Sequence, residues 1–271
     1  VSSPPEPEPR SETETGDSSP VTVTSSFVRG RNALLVQADF SPLYVDYYLH
    51  WMDVGLRQRE PYDGILKLTL AALVLHCTTR PWRETHAWTL NLPSPACNVF
   101  ATAGSLQESV VGRVFTEDVR PLPNGLFHAQ VSVPHEETRT SAVPLESPSV
   151  FPAVEAFYRL SEQRRARLFE VADEVYAMVS AQPGCDEPWL ESLSADDVRS
   201  LAETEELGYL ESRRFRFHCG CSLERVLPAL APLAAQGLDH LFQGEQAITV
   251  TCPRCGHRWR LTREQFEATG G

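Results

Sequence analysis

The sequence predicts an α+β fold: a mixed sheet and helix core, a helical linker and a small C-terminal domain. Three observations carry that expectation. Short β-rich runs separated by Pro, Gly or Asn follow two helical segments in the first two thirds of the chain. From 186 the composition turns acidic with a thin apolar periodicity, and two close cysteine pairs come after it. With 271 residues, 42% hydrophobic and 22% charged, the composition suits a globular chain with one main domain and appended parts.

The elements read in order as follows. Residues 1–24 are Pro, Ser, Thr and Glu with few apolar side chains, too few to offset the entropy of ordering, so a disordered tail is expected. FVRGRNALLVQADF reads as the first strand. Ser41 as N-cap and Pro42 in the first turn start a helix through Leu43, Tyr44, Tyr47 and Leu49, and a second helix covers 62–78. HAWTLNL, CNVFATAG, SVVGRVF, LFHAQVSV and RTSAVPL are five antiparallel strands. Val150, Val154, Phe157 and Leu160 mark a helix near 149–163, and RLFEVA and VYAMVSA close the core domain, 25–183, as two more strands.

The segment 184–217 is expected to be a metastable linker of amphipathic helices. Nine carboxylates between 186 and 211 alternate with Leu190, Leu193, Val198, Leu201, Leu207 and Leu210. Ser194 is placed to cap one helix, with Asp197 three residues on. Helices this short are marginal and depend on what they pack against.

Seven cysteines are present. Cys77 and Cys97 read as buried structural thiols, and Cys185, after Pro183 and Gly184, sits in a loop. Cys219-Gly-Cys221 and Cys252-Pro-Arg-Cys255 supply the four thiolates of a closed tetrahedral zinc site, one ion per chain, in a C-terminal domain at 218–271. The second pair lies between ITVT and HRWRLT, so Pro253, Arg254 and Gly256 form a hairpin turn whose amides face the sulfurs. A helix then follows, capped by Thr262 with Gln265 in a capping box. So small a domain has little core of its own, which makes metal binding and folding one event. His218 and His257 flank the pairs as neighbours of the ligands or surface groups. Such a site is either purely structural or a reactive centre. A disulfide between the residues of a C-x-C pair would be strained and easily reduced again, which suits a reversible switch.

CGCSLERVLPAL followed after about thirty residues by CPRCGHRW resembles the C-terminal zinc centre of the heat-shock protein 33 family, the redox-regulated holdase chaperones. VEAFYRLSEQRRARLF resembles that family's helix–strand signature, and FVRGRNALLV and QESVVGRVF carry weaker likeness, so the resemblance spans 26–268. It implies an inactive reduced form with zinc on Cys219, Cys221, Cys252 and Cys255. It further implies that oxidation pairs Cys219 with Cys221 and Cys252 with Cys255, expels zinc and unfolds the linker and zinc domain. The activated form, a homodimer, would then hold unfolding client proteins without ATP and hand them to ATP-dependent foldases. The long tail, the single lysine Lys67 and the extra cysteines 77, 97 and 185 depart from the family.

The net charge of −12 argues against nucleic acid. No apolar run reaches membrane-spanning length, and the N-terminus lacks a basic and apolar signal pattern, which suggests a cytoplasmic protein. An enzyme is not expected: GxSxG, HExxH and phosphate-loop motifs are absent, and four thiolates leave zinc no open position. His50, His76, His86, His128 and His135 show no ligand spacing. The alternative is a zinc-ribbon adaptor or nucleic-acid binder using Arg213, Arg214, Arg216, Arg254, Arg258, Arg260 and Arg263.

Overall fold

Alternation of side chains between two covered faces organises the body of the protein. The computed structural model describes residues 19–268 except 57, 121 and 236. Ten strands form one sheet: β1 (Val21–Val28), β2 (Ala33–Asp39), β3 (Thr85–Pro93), β4 (Ala96–Gly104), β5 (Ser109–Phe115), β6 (Leu126–Ser132), β7 (Arg139–Pro144), β8 (Ala166–Ala172), β9 (Val175–Ala181) and β10 (Leu207–Phe217). Their order is β7-β6-β3-β4-β5-β10-β1-β2-β9-β8. All neighbours are antiparallel except β5 and β10, which run parallel and share only the register pairs Arg216↔Ser109 and Phe217↔Val110. β10 thus joins a five-stranded half to a four-stranded half. The α+β expectation is met.

One face is covered by α1 (Ser41–Val54), α2 (Tyr62–Thr78) and α3 (Val150–Leu160), and Trp88, Tyr44, Tyr47, Tyr158, Phe127 and Phe215 are fully buried beneath them. The other face of the smaller half is covered by α4 (Glu187–Ser192), α5 (Ala195–Arg199) and α6 (Leu201–Thr204). β2 shows the logic. Val36 and Ala38 enter the α1–α3 core, whereas Ala33 and Leu35 meet Leu190, Leu193, Val198 and Leu201 from the α4–α6 side. A strand covered on both faces reads as a nearly continuous apolar run.

The helices α4–α6 are held by groups from the body. Arg31, in the β1–β2 turn, donates to Asp186 at 2.7 Å and Glu205 at 2.9 Å. Arg167 donates to the carbonyls of Leu190, Glu191 and Leu193, and Arg199 to that of Val171. The capping box of Ser194 and Asp197 forms.

Three local expectations change. The first strand is a hairpin, β1 and β2, because the chain turns at Gly30 and Asn32, both with positive φ. β1 begins at Val21, within the stretch assigned to the tail; the remainder of that tail, 1–18, lies outside the described residues. Residues 207–217 form a strand between β1 and β5 instead of the end of a helical linker. The alternation at Arg213, Phe215 and Phe217, all buried, fits a strand, and backbone pairing to β1 satisfies its amides. A smaller difference concerns α1: its N-cap is Phe40, and Ser41 donates through both amide and hydroxyl to Asp39 Oδ1. Among the described residues no helix is long and apolar enough to cross a membrane.

Two of the scattered histidines come together. His76 Nδ1 shares a 2.7 Å hydrogen bond with Tyr158 Oη, its Nε2 lies 3.2 Å from His86 Nδ1, and both residues are buried. Burial, and then the neighbouring positive groups, lower His76 well below the usual imidazole value, and burial lowers His86 to about 4. In the unfolded chain both take protons near pH 6.5, so stability is full above that value and falls as pH drops toward the folded values. The urea midpoint is expected to fall between pH 7 and 5, with a slope of up to about 1.4 kcal/mol per pH unit for each histidine. A His86→Gln variant should show a shallower decline, and an identical decline would rule out a contribution from His86.

Candidate metal centre

β10 delivers the first cysteine pair directly. Its last residue, Phe217, is buried against Tyr47 and His50, with ring centroids 5.3 Å apart in each case, and the amide of His218 donates to the Val110 carbonyl. Cys219 and Cys221 follow, separated by Gly220 at φ +60°, before Ser222 caps α7 (Leu223–Ala234). Arg225 and Arg254 fix this turn by donating to the carbonyls of Gly220 at 2.7 Å and Cys219 at 3.2 Å.

The second pair sits in the expected hairpin between β11 (Ala247–Thr251) and β12 (Arg258–Thr262), which pair antiparallel with Thr251 opposite Arg258. The Cys252 amide donates to the His257 carbonyl at 2.8 Å and the Gly256 amide to the Cys252 carbonyl at 2.9 Å. Thr262 and Gln265 form the expected capping box at the start of α9 (Arg263–Ala268).

Four sulfurs converge here. Cys219 and Cys252 are 3.7 Å apart, Cys221 and Cys255 3.5 Å, and all four lie within 4.8 Å of one another with no disulfide between them. Four thiolates around a zinc ion at about 2.3 Å would stand about 3.8 Å apart at the edges of a tetrahedron, so these residues fit such an ion. Proton occupancy without a cation is uneven. Hydrogen bonding to Cys255, and then burial, push the Cys219 thiol up, and burial followed by the same partner raises Cys221. Hydrogen bonding from Cys219, followed by His50 and the His257 amide, outweighs burial and holds Cys255 low. Four sulfurs this close become thiolates together only around a positive ion.

The surroundings contribute little stability of their own. Leu241, Phe242, Val250, Leu261 and Phe266 make a small separate core, completed by α8 (Leu238–Phe242) and by α7, which contains Pro228 and Pro232 and has no buried residue. Each of those prolines lacks the amide an α-helix uses. The hairpin also packs on the body: Cys252 and Cys255 join the principal core, and His50 Nε2, on α1, lies 2.9 Å from the Cys255 carbonyl oxygen. No sequence spacing pointed to it, because the partners are joined only by the fold.

Gly256 is the turn's constrained position. Its φ is +77°, and an added Cβ would lie 3.3 Å from Leu56 Cδ1 and 3.4 Å from Trp51 Cζ3. Gly256→Ala is expected to cost about 1–2 kcal/mol in backbone strain alone. Zinc affinity, followed by competition with a chromogenic chelator, should drop about tenfold; unchanged affinity would mean that the turn is not strained by a side chain.

The remaining candidates fall elsewhere. Cys77 and Cys97 are buried, and Cys185 is half-buried against the α4–α6 core. His218 is exposed, and the His257 ring lies tilted against Trp259 with centroids 4.7 Å apart. Of the arginines assigned to the alternative reading, Arg213 is buried and donates to Cys77 O and Ser105 Oγ, Arg214 pairs with Glu108, and Arg263 with Asp239. Arg258 and Arg260 point outward from β12.

Comparison with known proteins locates the same region. The family model described as Hsp33 protein matches residues 170–262, which include all four cysteines. A 33 kDa chaperonin from Caldanaerobacter subterraneus is 35% identical over 72 residues, covering 27% of this chain and 24% of that one. The 33 kDa chaperonin of Nitrosococcus oceani is 27% identical over 146 residues, 46% and 50% of the two chains, and that of Edwardsiella ictaluri 25% over 172 residues, 54% and 59%. The matches thus span about a quarter to three fifths of these relatives' lengths. The crystal structure of a 33 kDa chaperonin from Thermotoga maritima has the same fold, with a TM-score of 0.71 at 16% identity over 92% of this chain and 97% of that one. The domain match, which spans both cysteine pairs, and the repeated likeness to the 33 kDa chaperonins support the Hsp33 family for this chain.

Proposed function

We propose that this chain is an ATP-independent holdase chaperone whose cysteine centre is its redox switch. The observation that carries the reading is the convergence of four sulfurs at the end of β10, in a region with almost no independent core. Bound there, zinc keeps the sulfurs as thiolates and contributes folding free energy, on the order of 10 kcal/mol, to residues 218–268. Cys219, Cys221, Cys252 and Cys255 are its ligands in the reduced, inactive form.

Oxidation joins Cys219 to Cys221 and Cys252 to Cys255. Each disulfide forms as two thiolates give up two electrons to one hydrogen peroxide, which takes up two protons and leaves as two waters. The thiolate donors are then gone, and the hairpin and α7 lose what orders them. The linker is α4–α6, held by Arg31, Arg167, Arg199 and a single apolar face, and its release uncovers Leu35, Phe169, Val171 and Val179 of the sheet. β10, buried between β1 and β5, stays with the body. The exposed surface holds unfolding clients, in a dimer, until reduction returns them to ATP-dependent foldases.

The test follows zinc with a chromogenic chelator while peroxide is added at elevated temperature, alongside light scattering of an aggregating client. Release of about one zinc per chain with the onset of protection, both reversed by reductant and zinc, is expected from a single four-cysteine site. Zinc retained under oxidation, or lost without protection, overturns the reading.

A further inference from the structure

Helix α1 is apolar on two faces. Leu43, Tyr44, Tyr47 and Trp51 are buried against the sheet, as a surface helix requires. Val45, Tyr48, Leu49 and Met52 recur at i, i+3, i+4 and i+7 on the outside, with Leu49 49% and Met52 76% exposed. Isolated exposed apolar residues need no explanation, but a stripe at helical spacing does. Grooves flank it on both sides. One of about 1020 Å³ runs between Tyr48, Trp51, Met52 and Leu56, with Glu60 and Asp63 in its wall. The other, about 410 Å³, is lined by Leu49 and His50 together with Asp46 and Asp53. Among the described residues, four carboxylates edge the stripe against Arg59 and Arg216, Lys67 over the Tyr48 ring is already paired with Glu174, and α1 itself contains no Lys or Arg.

We propose that this outward face of α1 is a docking surface for unfolded chain segments that carry Lys or Arg among apolar side chains, and that the cysteine hairpin covers one edge of it. The proposal rests on the holdase reading and adds, to the sheet surface freed by α4–α6, a second face with a stated client chemistry. The cover is visible in the packing: Gly256 sits against Trp51 and Leu56, and His50 holds the Cys255 carbonyl. When the hairpin leaves, Trp51 and Leu56 become continuous with Tyr48, Leu49 and Met52.

Charge selects the occupant. A second copy docked through the same face about a two-fold axis would set one acidic edge, with Asp53, Glu60 and Asp63, against the same edge of the other, a repulsive arrangement. The chain's own residues 1–18 contain Glu6, Glu8, Glu12, Glu14 and Asp17 against the lone Arg10, so they are repelled as well. A basic and apolar segment satisfies both parts of the surface.

The experiment uses full-length oxidised protein and two labelled unstructured peptides with identical apolar residues, one carrying Lys and Arg and the other Glu, with binding read by fluorescence anisotropy. The basic peptide is expected to bind at least tenfold more tightly and to weaken as salt rises. A Leu49→Gln/Met52→Gln variant, altered only at exposed positions, should lose at least tenfold in affinity while releasing zinc normally and keeping its circular dichroism. Unchanged binding of the basic peptide by that variant overturns the proposal and leaves the holdase reading standing. Equal binding of both peptides overturns the charge selection. Sedimentation showing that the variant only converts a dimer to a monomer, with peptide binding intact, assigns the face to a second copy and overturns it too. Failure of the oxidised wild type to protect any client removes the holdase reading, and this proposal with it.

Discussion

Cys252→Ser is expected to lower zinc affinity more than a hundredfold and to leave residues 218–268 open to protease, while the ten-stranded body keeps its thermal transition. Even groups that only orient a metal ligand contribute 10–100-fold to affinity, and Cys252 is itself a buried member of the sulfur cluster. The loss is large because the packing around the hairpin is small beside what a bound metal supplies. The separate core has five buried side chains, two of them phenylalanines whose ring centroids are 6.4 Å apart, and the helix covering it contains two prolines. Metal-coupled folding typically contributes about 10–16 kcal/mol in small zinc domains, more than such a core supplies. Limited proteolysis with mass spectrometry and zinc stoichiometry by chelator reads both effects. A variant that stays resistant and loaded would show that three sulfurs suffice, and that the hairpin folds for another reason.

Phe215→Ala is expected to destabilise the whole body by about 3–5 kcal/mol, lowering the urea midpoint of the main transition. Phe215 is fully buried in the principal core, opposite Val21 in the β1–β10 register. The cavity would open in the strand that holds the two halves of the sheet together, where neighbours are fixed by backbone pairing and relax little. The size of the shift decides a structural question. If β10 belonged to a segment that melts easily, the substitution would leave the main transition in place. A full shift assigns the strand to the body and confines the labile segment to α4–α6.

Most of the fold was legible because its strands and helices carry clean periodicity. β3 alternates buried and half-buried positions along nearly its whole length, and α3 repeats Val150, Val154 and Phe157 on one face. The cysteine spacing, the hairpin turn and the capping box at Thr262 were equally readable, since each depends on residues a few positions apart. β10 was not. Leu207 and Leu210 continue the helical interval of the preceding leucines, and only pairing with β1, at the other end of the body's sequence, makes the segment a strand. The same limit hid His50, whose partner is a backbone carbonyl and has no side-chain signature, and the meeting of His76 with His86 across α2 and β3.

The place of β10 in the sheet also bears on how the chain is made. β3 to β5 pair in sequence, and β6 returns to β3 with β7 beside it, so these five can pair soon after they emerge from the ribosome, but β1 must wait for β10, which is far along the chain, Val21 pairing with Phe215. Contacts of such high order form slowly, and until they form the free edges of β1 and β5 are open to wrong partners. During synthesis this protein therefore passes through an interval in which it is itself prone to aggregate, and the interval ends when the strand just ahead of its cysteines docks.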